Sequence, residues 1–106
     1  MARDLRVLEV IYSAVDFINE NRPIEEHLDK APETLLFGEG GQLDSLDLVE
    51  LLAETESRIE DALVVSIVLA NEKALSYKHN PFRSIGELAD YATSLLHEAR
   101  SQDESL

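Results

Sequence analysis

The chain has 106 residues, 44% of them hydrophobic, which suits one domain with a modest core and argues against wholesale disorder. It has no cysteine, which excludes disulfides, thiolate nucleophiles and thiolate metal ligands. Its 22 acids against 9 Lys and Arg give a net charge of −13. Such a chain repels a phosphate backbone, so no nucleic-acid partner is expected and basic protein surfaces are.

The N-terminus, Met1-Ala2-Arg3-Asp4, leads straight into an amphipathic pattern. Neither a signal peptide nor an apolar span of membrane length is visible, so a soluble, cytoplasmic protein with no membrane partner is the expectation. Leu5, Leu8, Ile11, Val15 and Ile18 recur at helical spacing, and Val7, Ala14 and Phe17 widen the stripe. This predicts a first helix over 3–20, ended by Asn19, Asn21 and Pro23. Tyr12 is expected at the edge of the core. Residues 22–42 read as a long connection punctuated by Pro23, Pro32 and three glycines. Ile24, Leu28, Leu35, Leu36 and Phe37 are expected to plug it onto the helices, with a short helical turn at 24–28 or 32–36.

A second helix is predicted over 45–62. Asp44 is its N-cap, because its carboxylate can accept a first-turn N–H. Ser45 is then the first helical residue, and Asp47 suits the positive helix end. At about 100° per residue, Leu48, Val49, Leu51, Leu52, Ala53, Ile59, Ala62 and Leu63 share one arc. Asp47, Glu50, Glu54, Ser57, Arg58 and Asp61 cluster opposite, Leu46 lies at the border, and Glu56 and Glu60 intrude on the apolar arc. Residues 64–68, β-branched and apolar, predict an extended, buried link, and residues 70–75 a short third helix. Ser84 with Glu87 forms a capping box before Ile85, Leu88, Ala89, Ala92, Leu95 and Leu96, which predicts a last helix over 84–98 and a frayed tail over 100–106. The fold class is therefore all-α: a single domain over 1–106 with three longer helices and one short one.

A serine behind an N-cap aspartate is by itself a common helix start. Here Asp44-Ser45-Leu46 is followed by Asp47, Val49, Glu50 and Leu51, in a small acidic chain behind a glycine-rich loop. This set resembles the attachment site of acyl carrier proteins, in which the serine of an Asp-Ser-Leu motif carries a 4′-phosphopantetheine arm through a phosphodiester. The resemblance implies a four-helix bundle of the acyl-carrier type, with the cofactor on Ser45 and Asp44 beside it. It implies docking to partner enzymes through Leu46, Asp47, Glu50 and Glu56, with Glu54 on the same acidic face. The implied partners are a phosphopantetheinyl transferase and acyl- or aminoacyl-loading and transfer enzymes with basic patches. The layout matches over about the whole chain, while the motif support lies in residues 44–56. The stretch between Leu63 and Ile85 is longer than in ordinary fatty-acid carriers.

Other chemistries fit less well. A serine nucleophile needs a base and no Gly-x-Ser-x-Gly elbow surrounds Ser45. His27, His79 and His97 are scattered and lack metal-ligand spacing. The acids form no calcium loop, and no Gly-Lys-Ser/Thr follows the glycines at 38, 40 and 41. No catalytic or metal residue is therefore assigned, and a carrier is expected to be a substrate of enzymes rather than an enzyme. The competing expectation is an acidic helical adaptor without cofactor.

Overall fold

In the computed structural model the described residues are 3–70 and 80–104. Helix α1 spans Leu5–Asn19, α2 spans Ser45–Leu63 and α3 spans Ile85–Glu104, with a 3-10 turn at Ile24–Glu26. The described chain is all-helical apart from its connections and one isolated antiparallel bridge, Leu35 to Ser84. The short helix predicted over 70–75 falls outside the described residues, apart from Ala70, which is not helical.

Helix α1 packs against both other helices. Val7, Val10, Ile11, Ala14, Val15 and Ile18 are its buried positions. Leu5, expected in this stripe, is instead exposed at the first turn, and Leu8 is half-buried. Val10 takes a core place that the expected stripe left out, at the same helical spacing as Val7 and Ala14. Tyr12 packs at the core edge. Asp4 caps α1 by accepting the Arg6 N–H at 2.9 Å. The hydrogen bond from the Arg6 guanidinium holds the Asp4 carboxyl below its usual value. The start of α1 is tied to α3 by a two-pronged Arg3–Asp90 pair at 2.9 and 3.2 Å. The buried Thr93 hydroxyl also accepts the Asp4 N–H at 3.2 Å and donates to the Ala89 carbonyl at 2.7 Å.

The connection after α1 is pinned at Leu28 rather than along its length. The Asn19 side-chain amide accepts the Leu28 N–H at 2.8 Å and donates to the Leu28 carbonyl at 3.1 Å. Leu28 and Leu36 are buried, but Ile24, expected to plug the loop, is 82% exposed. The 3-10 turn carries Ile24 outward while the amide clamp holds Leu28 in. Beyond it the chain runs against the entrance to α3: Leu36 N–H to Arg83 carbonyl at 2.7 Å, Phe37 N–H to Phe82 carbonyl at 3.2 Å, Ile85 N–H to Thr34 carbonyl at 3.0 Å. The Ser84 hydroxyl accepts the Glu87 N–H at 3.1 Å, so the serine half of the predicted capping box forms, without a return bond to the Glu87 carboxylate among the described residues. The backbone ladder of α3 continues to Glu104, beyond the predicted end at 98.

Helix α2 buries Leu48, Leu51, Leu52, Thr55 and Ile59. Val49, Ala53 and Ala62, assigned to the inner arc from sequence, are exposed. The apolar arc is wider than the face α2 presents to the core, and the inner face is completed by Thr55. Its hydroxyl donates to the Leu51 carbonyl at 2.8 Å, which removes the penalty of burying it. The link after α2 is extended but not wholly buried. Ile67 and Leu69 enter the core while Val64, Ser66, Val68 and Ala70 face out, the alternation of a half-buried strand.

Val64 ends α2 in the left-handed region at φ 55°, its N–H bonded to the Glu60 carbonyl at 3.0 Å. A β-branched residue there is strained by about 1–2 kcal/mol, and at 87% exposure Val64 gains little burial in return. Val64→Gly is expected to raise the unfolding free energy by about 0.5–1 kcal/mol, after allowance for the freer unfolded chain. Urea unfolding checks this, and a loss of stability would contradict the strained cap.

Candidate functional site

The loop before α2 folds back on itself. The Leu43 N–H bonds the Leu36 carbonyl at 2.9 Å and the Gly41 N–H the Gly38 carbonyl at 2.9 Å. A Cβ on Gly41 would stand 2.5 Å from the Leu36 carbonyl oxygen, so only glycine fits this approach. Gly38 adopts φ 107°, a second position suited to glycine. The Asn80 amide donates to the Phe37 carbonyl at 2.8 Å and its carbonyl oxygen accepts the Phe82 N–H at 2.9 Å, bracing the loop from the α3 side. Leu43 is buried and anchors the last step into the helix.

From that anchor the chain turns outward. Asp44 is extended, and its Oδ1 accepts the Asp47 N–H at 2.8 Å. The Leu48 N–H reaches the Asp44 carbonyl at 3.0 Å and starts the ladder. Ser45 is the first helical residue, as the spacing predicts. It is exposed, and its hydroxyl has no hydrogen-bond partner among the described residues. Asp44 is exposed beside it, and Leu46 follows at 75% exposure.

The acids of α2 do not behave alike. Asp47 and Glu54 sit on the flank toward α1. The Asp47 carboxylate lies 3.7 Å from the Arg22 guanidinium. Glu54 pairs with Arg58 at 2.8 Å, and Arg58 lies 5.9 Å from the centre of the Phe17 ring on α1. Glu56 is on the other flank, half-buried, with its Oε2 accepting the N–H of Leu69 at 2.6 Å and of Ala70 at 3.3 Å. It is the clasp of the extended link, and no local sequence pattern announces that use. Glu50 is exposed and makes no ion pair among the described residues. The outward stripe of α2 is therefore Leu46, Val49, Glu50, Ala53 and Ser57, with Glu60 and Asp61 further along.

Two histidines lie within the described residues and neither hydrogen-bonds Ser45. His27 Nε2–H donates to the Arg22 carbonyl at 2.9 Å, and His97 is exposed on α3. His79 lies outside the described residues. Among the described residues no group of three or more His, Asp or Glu is placed to hold a metal ion, and no helix is long and apolar enough to cross a membrane. Comparison with family models, curated proteins and solved structures returns no match for this chain.

Removing the clasp by Glu56→Ala is expected to cost about 1–3 kcal/mol, because the Leu69 N–H loses a charged acceptor in a half-buried place. Amide exchange at Leu69 should quicken while exchange in the middle of α1 stays slow. An unchanged Leu69 amide would contradict the clasp.

Proposed function

We propose that this chain is an acyl or peptidyl carrier protein of the four-helix acyl-carrier type, with 4′-phosphopantetheine attached to Ser45. The observation that carries the reading is the setting of Ser45: an exposed hydroxyl, unbonded among the described residues, at the first turn of a capped helix behind a braced glycine loop. A phosphopantetheinyl transferase has to bring this oxygen against the pyrophosphate of coenzyme A. The new Oγ–phosphorus bond forms as the bond to the nucleotide half breaks, and the hydroxyl proton passes to the transferase. The resulting phosphodiester would sit at the positive end of α2, a placement worth about 0.3–1 kcal/mol. Asp44 and Asp47 oppose that charge in part; their use lies in setting the helix start and in recognition by the transferase.

Once loaded, such a chain makes no bonds itself. The arm's thiol carries an acyl or aminoacyl thioester, and tethering raises its local concentration at each partner. Docking falls to the outward stripe. Leu46 and Val49 supply apolar contact, and Glu50 supplies charge toward basic patches of loading and transfer enzymes. Asp47, Glu54 and Glu56 join such a contact only by exchanging the partners they already hold. The second reading, an acidic helical adaptor without cofactor, draws on the same exposed Leu46 and Val49.

Intact-mass measurement after incubation with coenzyme A and a phosphopantetheinyl transferase separates the two. The expected result is a gain of one phosphopantetheine, absent in Ser45→Ala. No gain with several transferases would favour the adaptor.

A further inference from the structure

Arg22 stands in the turn after α1, yet its guanidinium reaches across to the far end of the loop. Its Nη2 donates to the Gln42 carbonyl at 3.4 Å and lies 3.7 Å from Asp47 Oδ2. Those two groups flank the Asp44-Ser45-Leu46 step, one in the loop and one in the first turn of α2. The anchored end of this side chain is itself held: the Arg22 N–H bonds the Asn19 carbonyl at 3.0 Å, its carbonyl takes His27, and the Asn19–Leu28 amide clamp closes the same turn.

The side chain is only 15% exposed, and its Nη1 is buried with no hydrogen-bond partner among the described residues. That is a poor arrangement for stability alone. A guanidinium withdrawn from water with one nitrogen unsatisfied and its ion pair at 3.7 Å recovers little of its desolvation cost. An apolar side chain of similar length would serve packing as well or better. What the arginine adds is a link between a fixed turn and both sides of the step that presents Ser45.

We propose that Arg22 is a positioning residue for modification at Ser45: a buried strut that fixes the junction from which α2 starts. This rests on the carrier reading for its purpose, while the strut itself is a claim about the junction. It touches no reacting atom. It narrows the range of loop conformations from which the hydroxyl must be delivered to a transferase.

The test uses the full chain, with Arg22→Met to keep apolar bulk and Arg22→Lys to keep the charge. Three readouts are taken: urea unfolding, amide exchange along α2, and kcat/KM for transfer from coenzyme A by a phosphopantetheinyl transferase. For Arg22→Met the expected result is an unfolding midpoint equal to or above that of the unaltered chain. Exchange at the Asp47 and Leu48 amides should quicken by about three- to tenfold, the equivalent of one hydrogen bond, with Leu52 unchanged. Transfer should slow by a similar factor at unchanged KM for coenzyme A, and Arg22→Lys should restore part of it. Unaltered first-turn exchange would overturn the strut. So would a uniform loss of protection along α2 together with a lower midpoint, which marks a merely structural role. Faster first-turn exchange with an unaltered transfer rate would overturn the link to modification. If the unaltered chain takes no phosphopantetheine at all, the carrier reading and the link to modification fall together, and the exchange profile still decides the strut.

Discussion

The Asp44 carboxylate takes the Asp47 N–H at 2.8 Å just after the Leu43 N–H has closed onto the Leu36 carbonyl at 2.9 Å, and the placement of α2 follows from these two bonds. The first bond satisfies a donor that a helix start leaves open. The second fixes the direction from which the chain arrives. Between them Leu43 goes into the core, and Asp44, Ser45 and Leu46 are turned out. Slipping the helix start by one residue would rotate every α2 side chain by about 100° and carry most of its buried positions off the core face. Local capping and long-range burial thus agree on one register, and that agreement leaves the Ser45 hydroxyl in solvent.

The same register divides the charges of α2 by direction. Toward α1 the acids meet Arg22 and Arg58, so this flank is a seam of paired charges, with Arg58 over the Phe17 ring. Toward the extended link Glu56 takes two backbone donors and holds Leu69 in the core. The face turned away from both seams keeps Leu46, Val49 and Glu50 available. The chain has net charge −13, yet of the six acids on this helix Asp47, Glu54 and Glu56 already hold partners, while Glu50, Glu60 and Asp61 hold none among the described residues. Formal charge therefore overstates what a basic partner would meet, and apolar contact at Leu46 and Val49 gains weight in any encounter.

Much of this was legible because it is local. The α2 start follows from Asp44 and Asp47, the α3 start from Ser84 and Glu87, and α1 from its apolar period. The candidate site is local in the same sense, since the cap that exposes Ser45 lies within three residues of it. What the sequence does not carry is the direction from which neighbours arrive. Val49 and Ala53 lie on the apolar arc of α2, but the core meets the arc centred nearer Thr55, so they stay outside. Ile24 is as apolar as Leu28, and only the Asn19 clamp decides which of them goes in. Glu56 reads as another surface acid until the link returns from Val64 to meet it. Arg22 has no sequence signal, because its partners lie 20 or more residues further on.

The proposed carrier role requires that α2 begin at Ser45 with the hydroxyl in solvent. Backbone chemical shifts and amide exchange over residues 40–52, measured by NMR on the unmodified chain, address it directly. Extended shifts are expected at Asp44, helical shifts from Ser45 onward, rapid exchange at Ser45 and Leu46, and strong protection by Leu51 and Leu52. A helix that starts before Leu43 or beyond Leu48, or a Ser45 amide protected as well as Leu52, would contradict it.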